Sequence, residues 1–271
     1  MSPMLARVRG ASVGTFTVYL CGALLALAPA MPLASALERA VGDHPDGSGA
    51  LYAPGGIWLM EAFAALGGAW AMLANVTIVV LLLSLVLGPL LQMTWLAALL
   101  RRQKLAEALA AGARRYFSAI GVSIALSPLL GLALLLLVAV PGLVGLAVAS
   151  TPSDRTHDLA LLAACAPALV IAALWATWHD LARASLARGG GVLSAVIRGA
   201  LATFQRSAVP AYLAWLALGS ALGLAAHILG GLLDLGGTLA SLSVLLVTQL
   251  LALLRTFVRA RWLAAALERV R

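Results

Sequence analysis

Charged side chains are scarce in this chain. Asp, Glu, Lys and Arg make up 10% of its 271 residues, whereas 63% are hydrophobic, and the mean hydropathy is +1.03. Soluble proteins contain about 25% charged residues. A chain this apolar needs lipid rather than water around it, so the composition excludes a soluble globular domain and predicts an integral membrane protein.

Cysteine is almost absent. Cys21 and Cys165 are the two cysteines of the chain, and both lie inside apolar runs. They do not make the disulfide framework of a small secreted protein, and no His/Cys spacing resembles a zinc site. We expect no metal ion and no cofactor.

Familiar catalytic motifs are missing too. The sequence contains no G-x-S-x-G, no H-E-x-x-H and no G-x-x-x-x-G-K-[ST], so nothing indicates a serine hydrolase, a zinc protease or a P-loop enzyme. No run of carboxylates within an apolar segment indicates a pump, and no ladder of arginines indicates a voltage sensor. We therefore expect a protein that is not an enzyme and has no catalytic residues.

Six apolar segments are long enough to cross a bilayer, which takes about 20 residues of helix. They cover approximately 13–34, 70–98, 118–149, 159–180, 208–233 and 238–258. Backbone groups in lipid must bond within their own segment, and no alternating barrel pattern is present. The sequence predicts an all-α fold, a polytopic transmembrane helical bundle that forms one membrane domain over residues 1–271.

Two of these segments have alternative interpretations. The first ends in Ala34-Ser35-Ala36 and also resembles a cleaved signal peptide; we favour an uncleaved span, because the repeat described below needs it. The third contains Pro128 and Pro141, which predict a kink or a break.

The distribution of charge predicts the orientation. With the N-terminus, residues 99–117, residues 179–207 and the C-terminal tail on one side, that side holds 16 of the 18 basic residues and only three of the ten acidic ones. By the positive-inside rule, we expect both termini to be cytoplasmic. Only one of the 18 basic residues is a lysine, Lys104, and Ala and Leu dominate the spans; we interpret this as the codon bias of a GC-rich bacterium and expect its inner membrane. The positive-inside rule also explains the net charge of +8 without nucleic-acid binding, and the basic patches lack the aromatic neighbours on which bases stack.

Two basic connectors on the predicted cytoplasmic side read as amphipathic helices suited to the inner leaflet. In residues 101–117, Leu105, Leu109, Gly112 and Tyr116 share one face. After the break at Gly189-Gly190-Gly191, a second apolar face comprises Leu193, Val196, Ile197, Ala200, Leu201 and Phe204. We expect anionic membrane lipids as partners, with these residues contacting their headgroups: Arg101, Arg102, Lys104, Arg114, Arg115, Arg183, Arg198 and Arg206.

The connectors belong to a weak internal repeat. Three span ends share a Thr-aromatic pair, at Thr94-Trp95, Thr177-Trp178 and Thr256-Phe257. The repeat predicts three tandem helical hairpins joined by cytoplasmic amphipathic helices. The alternative, that an Ala/Leu-rich chain produces such matches by chance, stays open.

Polar residues in or near the spans are the remaining candidates. His179 with Asp180 and Arg183 either relays protons or polarises a headgroup, or it belongs to an interfacial helix end, with Asp180 and Arg183 paired and His179 facing water. His227 and Asp234 share a helix face and have the same two interpretations. Three amide side chains within spans either bond between helices or line a substrate path: Asn75, Gln92 and Gln249.

The stretches Arg102 to Leu137 and Ala182 to Leu224 carry a resemblance. Each has a basic amphipathic helix, a serine at the start of the next span, and then a Leu-rich span. This pattern resembles uncharacterised six-span bacterial inner-membrane proteins, among them the membrane domain fused to some bacterial glycerophosphodiester phosphodiesterases. The resemblance covers most of the chain and implies a membrane scaffold or lipid-associated module with membrane or cytoplasmic protein partners. It does not carry over the phosphodiesterase activity, because the motif includes no catalytic residue.

A second resemblance gives the alternative function. Glu107-Ala108-Leu109 with Gly112, followed by Ile124 and Pro128, is similar to the cytoplasmic coupling loop of ABC-type permeases. The spacing differs by one residue at the glycine and by more at the proline. It implies a permease subunit that works with a cytoplasmic ATPase.

Overall fold

A computed structural model describes residues 11–41, 70–101, 104–148, 154–232 and 238–270. Within these ranges the chain is helical and has no strand, so the predicted all-α fold is confirmed. In chain order the helices are α1 (Ser12–Val41), α2 (Trp70–Arg101), α3 (Leu105–Arg114), α4 (Tyr116–Val148), α5 (Asp154–Ala164), α6 (Ala166–Ala187), α7 (Val192–Thr203), α8 (Ala208–Leu232) and α9 (Thr238–Arg269).

Six stretches of these helices are long and apolar enough to cross a membrane. They are Ser12–Leu33, Trp70–Arg101, Tyr116–Ala147, Leu159–Ala187, Ala208–Ala226 and Leu242–Arg269. All six correspond to the predicted spans, although several helices continue well beyond the predicted limits. The chain is a multi-pass membrane protein by this criterion.

Proline acts differently in the third and fourth spans than the sequence suggests. Of the kink or break predicted for the third span, the break is not found, since α4 continues through Pro128 and Pro141. Pro128 has no N–H to offer the carbonyl of Ile124 four residues earlier, and the Ser127 hydroxyl donates to that carbonyl instead, at 2.8 Å. The fourth span is the interrupted one: α5 ends one residue before Cys165, and Pro167 lies in the first turn of α6.

The spanning helices pack as three consecutive pairs, α1 with α2, α4 with α6 and α8 with α9. This pairing agrees with the predicted tandem hairpins. The buried core lies near the ends that join α3 and α7, where Leu96, Leu99, Leu181 and Leu186 are at most 1% exposed. Farther along the spans, large apolar side chains such as Leu85 and Val138 remain exposed. Their surroundings must be apolar as well, which is the condition that lipid provides.

Helices α3 and α7, the connector helices, turn small residues inward. Gly112 of α3 lies against Thr94 of α2, so close that an added Cβ would be 2.8 Å from the Thr94 backbone nitrogen. Gly199 of α7 lies against Ala182 of α6, where an added Cβ would be 2.7 Å from the Ala182 nitrogen. Because glycine has no side chain, the backbones of the two helices can come into contact, as in small-x-x-x-small packing.

The large apolar residues of α7 point away from the bundle. Leu193, Ile197, Leu201 and Phe204, the outward stripe, are exposed, whereas Ala195 and Ala202 are buried beside Gly199. The predicted apolar face is therefore correct in its large members, but the face that packs on the protein consists of small residues. On α3, Leu105 and Leu109 are exposed while Ala108 and Gly112 are buried.

The C-terminal residues that the sequence suggested as a basic tail belong to the core. Helix α9 runs without interruption to Arg269, and Trp262, Leu263 and Leu267 are buried. Arg188, just after α6, donates its Nε proton to the carbonyl of Leu267 at 2.9 Å. The end of α9 is thus fixed against the end of α6.

Candidate functional site

A buried carboxylate lies at the centre of the connector end of the bundle. Asp180, two turns before the end of α6, is 2% exposed. It accepts hydrogen bonds from Gln92 Nε2 at 3.0 Å, from Arg259 Nη2 at 2.6 Å and from Trp262 Nε1 at 2.8 Å. A buried carboxylate is stable only with such donors, so Asp180 ties α2 and α9 to α6.

Arg183 lies one turn later on α6 and is 6% exposed. Its Nη1 donates to Gln92 Oε1 and its Nη2 donates to Ser123 Oγ at 2.7 Å. The ion pair of Asp180 is with Arg259 rather than with Arg183, which corrects the predicted pairing. Burial also separates Arg183 from the exposed arginines with which the sequence grouped it as a headgroup contact.

His179 is part of the same cluster. Its ring stacks on Trp175, with centroids 5.1 Å apart and an interplanar angle of 21°, and its Nε2 lies 3.2 Å from Ser123 Oγ. The expected water-facing histidine is therefore not found. A serine next to a histidine can act as a nucleophile, with the histidine as its base. Ser123 Oγ, however, is also bonded to the Ala119 carbonyl and to Arg183. The contacts with Arg183 and His179 join α4 to α6, whereas the bond to Ala119 is within α4.

Aromatic side chains complete this polar network on the side of α8. The Arg259 guanidinium lies over the Trp215 ring, 4.3 Å from its centroid, a geometry that contributes about 0.5–2 kcal/mol. Tyr212 meets Trp262 edge to face at 5.4 Å. The network, made of Gln92, Ser123, His179, Asp180, Arg183, Trp215, Arg259 and Trp262, thereby links five helices.

A second site lies at the same end of the bundle. A pocket of about 190 Å³ forms where α2, α3 and α6 end, and we call it the arginine pocket. Arg101, Arg114 and Arg115 line it together with the apolar residues Met93, Ala97, Leu100, Ala111 and Ala187. Two of its arginines end helices, Arg101 in α2 and Arg114 in α3, where cations complement the helix dipole.

Arg115 is the best-positioned cation of the arginine pocket. It is half-buried, and its Nη1 donates to the carbonyl of Leu186 near the end of α6. Burial lowers the pKa of the Arg115 guanidinium, and the positive charges of Arg101 and Arg114 lower it further. Three cations thus crowd one pocket, and none of the described residues that line it is acidic.

The structure brings together three of the predicted headgroup residues, Arg101, Arg114 and Arg115. Lys104 is exposed just before α3, and Arg198 and Arg206 are exposed on and after α7. Arg102 lies outside the described residues.

The other polar candidates are dispersed. Gln92 belongs to the polar network, Gln249 accepts a hydrogen bond from the Tyr19 hydroxyl at 2.6 Å, and Asn75 is exposed. These three amides therefore do not form one path. Asp234 and the side chain of His227 lie outside the part that the structure describes.

Sequence reasoning missed Ser123, Trp215, Arg259 and Trp262. Ser123 is 60 residues from Arg183, and Arg259 and Trp262 are 79 and 82 residues from Asp180, so only the fold brings these side chains together. Trp215 joins them through Arg259. One local signal was present: Arg259 and Trp262 are three residues apart and so share a face of α9.

Comparisons with known proteins add no relative. No protein-family model matches the chain, and neither a curated protein nor a solved structure is significantly similar to it. Its own side chains therefore carry the functional inference.

Proposed function

We propose that the protein is a non-enzymatic, lipid-associated module of the bacterial inner membrane, with its connector helices lying in the cytoplasmic leaflet. The observation that carries this proposal is the outward stripe of α7. Phe204 is 77% exposed and Leu201 is 68% exposed, although both lie beside a closely packed bundle end. Burying side chains of this size in an apolar phase contributes about 1.5–3 kcal/mol each.

Basic residues accompany the outward stripe. Arg198 lies on α7 beside Ile197, and Arg206 follows Phe204 by two residues; both are exposed. Arginine at the headgroup level of an anionic leaflet contributes about 1 kcal/mol. An exposed apolar stripe with flanking cations fits an interfacial helix on an anionic membrane better than a helix in water.

Helix α3 repeats this arrangement. Leu105 and Leu109 point outward, and Phe117, in the first turn of α4, is 83% exposed. Lys104 and Arg114 are exposed at the two ends of the same helix. Two connectors with the same inward small residues and outward large residues support one shared role, which is to place the bundle end in the headgroup region.

The charge distribution and the resemblance support the same proposal. Both connectors lie on the side that carries 16 of the 18 basic residues, which the positive-inside rule makes cytoplasmic. The resemblance to the membrane domain fused to bacterial glycerophosphodiester phosphodiesterases implies a module of this kind.

The depth of a spin label on the outward stripe tests the proposal. In a background with Cys21 and Cys165 replaced by alanine, Leu201→Cys is labelled with a nitroxide and the protein is reconstituted in vesicles of phosphatidylethanolamine and phosphatidylglycerol. Lipid insertion predicts strong relaxation by oxygen and weak relaxation by a water-soluble nickel chelate.

A matched label at Arg198→Cys, on the same helix, serves as the control. It should be closer to the headgroups and more accessible to the nickel chelate. If the label at position 201 is as accessible to the chelate as the label at position 198, the helix lies in water and the proposal fails.

A permease subunit of an ABC-type transporter is the alternative function. One observation favours it: Glu107 and Leu109 of the predicted coupling motif are exposed on α3, while Ala108 and Gly112 pack inward. This leaves the residues of a docking face available to a cytoplasmic ATPase. Co-purification of such a subunit discriminates the two functions.

A further inference from the structure

We infer that the arginine pocket binds the phosphate group of an anionic phospholipid headgroup. This inference rests on the proposed function and sharpens it, because it replaces a general attraction to anionic lipid by one site with a defined lining.

The composition of the pocket selects the ligand's charge. Arg101, Arg114 and Arg115 contribute three guanidinium groups, and the other lining residues within the described part of the chain are apolar. Guanidinium groups present paired N–H donors that match phosphate oxygens. A cationic ligand would be repelled by these three charges, whereas an anion is attracted by all of them.

The electrostatics inside the pocket favour an anion. Arg101 and Arg114 both disfavour the charged form of Arg115, so the three cations repel one another. A bound phosphate would attract all three guanidinium groups and so offset their mutual repulsion. The Leu186 carbonyl already orients the Arg115 guanidinium, which reduces the ordering that binding requires.

The size of the pocket limits the ligand to a headgroup. Its volume of about 190 Å³ is far above the ~10–15 Å³ that admits one water molecule. It is also below the ~300–1,000 Å³ of pockets that enclose a whole drug-sized ligand. A phosphate group with its immediate ester substituents fits between these limits.

The apolar part of the lining indicates that the phosphate belongs to a lipid. Met93, Ala97 and Leu100 come from the last turns of α2, a helix that crosses the membrane by its length and hydropathy. A ligand in the pocket therefore contacts the end of a span, where the glycerol and the first methylene groups of a phospholipid lie.

Binding of short-chain lipid to the full-length protein in detergent tests the inference. Dihexanoyl-phosphatidylglycerol, dihexanoyl-phosphatidylcholine and inorganic phosphate are titrated separately, with calorimetry as the readout. We expect phosphatidylglycerol to bind and Arg115→Gln to weaken it about tenfold or more, since a charge-assisted bond is lost. Arg198→Gln removes the same charge outside the pocket and should change the affinity by less than about twofold.

Two further variants keep the test decisive if Arg115→Gln does not fold. The double variant Arg101→Gln/Arg114→Gln changes only exposed side chains and should also weaken binding. Ala111→Phe fills the pocket without removing charge, and it should abolish binding if the ligand enters the pocket. Equal affinity of the wild type, Ala111→Phe and the double variant would overturn the inference.

The ligands separate the source of the phosphate. Tight binding of phosphatidylglycerol with weak binding of inorganic phosphate supports the lipid; inorganic phosphate that binds as tightly and displaces the lipid overturns the lipid assignment. The outcome is independent of the spin-label experiment. A label at position 201 that lies in lipid, with no binding in the pocket, would contradict this inference alone.

Discussion

Asp180 of α6 and Arg259 of α9 form an ion pair of 2.6 Å across 79 residues of sequence. The pair lies where the spans meet the connector helices, and its carboxylate is buried. Separating the two helices would leave a carboxylate without its cation in an apolar environment, which is strongly unfavourable. The pair therefore fixes the third helical hairpin against the second.

Replacement of Asp180 by asparagine should destabilise the bundle. The amide keeps the size of the side chain but removes the charge and presents N–H donors to Arg259 and Trp262, which are donors themselves. Removing one partner of a buried pair costs about 3–5 kcal/mol. We expect a clear fall in the temperature midpoint of unfolding, measured by circular dichroism in detergent.

A double-mutant cycle with Arg259→Gln identifies the origin of this effect. The double variant should lose at least about 1 kcal/mol less than the sum of the single variants, as contacting residues do. Glu107→Gln removes an exposed acid and should leave the midpoint unchanged. Additive effects of Asp180→Asn and Arg259→Gln would show that the pair is not coupled.

Gly199→Ala should also destabilise the protein, for a steric reason. The new Cβ would lie 2.7 Å from the Ala182 nitrogen and 2.8 Å from its Cα, and backbone atoms cannot move aside as a flexible side chain does. Overpacking of this kind costs about 1–3 kcal/mol.

Gly131→Ala is the matched control for Gly199→Ala. It is also within a helix, but a Cβ there meets no atom within 4 Å. Because alanine restricts the unfolded chain more than glycine does, this variant should be as stable as the wild type or more stable. If both variants have the same unfolding midpoint, the close approach of α7 to α6 is not a stabilising contact.

Much of the fold could be predicted from the sequence because hydropathy acts locally. Six spans, their approximate limits and the pairing of consecutive spans follow from runs of about 20 apolar residues joined by turns. The break at Gly189 is local as well: its φ of +118° suits glycine, and α6 ends beside it. The break considered for the third span is not found, since α4 continues through both prolines; at Pro128 the Ser127 hydroxyl replaces the missing backbone donor.

The candidate sites depended on contacts that hydropathy does not encode. The hydrogen-bond donors of Asp180 come from α2 and α9, and nothing in the sequence relates Gln92 or Trp262 to α6. The arginine pocket could be predicted in part, since the sequence already indicated Arg101, Arg114 and Arg115 as members of a basic cluster. Their convergence on one cavity required the end of α6 to pack against α2 and its Leu186 carbonyl to accept a hydrogen bond from Arg115.

The orientation in the membrane is a further prediction. The positive-inside rule places residues 42–69 outside and α7 inside. In the cysteine-free background, Asp46→Cys in intact spheroplasts should react with a membrane-impermeant maleimide, whereas Arg198→Cys should react only after lysis. The opposite labelling pattern would show that the protein is inserted in the reverse orientation, and it would remove the basis for an interaction with the cytoplasmic leaflet.

The permease alternative predicts a protein partner that the lipid-associated module does not need. An ATPase docked on α3 would cover Glu107 and Leu109, which are exposed in the chain alone. Affinity purification from native membranes, followed by mass spectrometry, should then recover a nucleotide-binding subunit, and Glu107→Arg should release it by reversing the charge at the contact. If the proposed function holds, the purified protein instead carries anionic phospholipid and Glu107→Arg leaves its composition unchanged. Recovery of the ATPase with the wild type and its loss with Glu107→Arg would establish the permease.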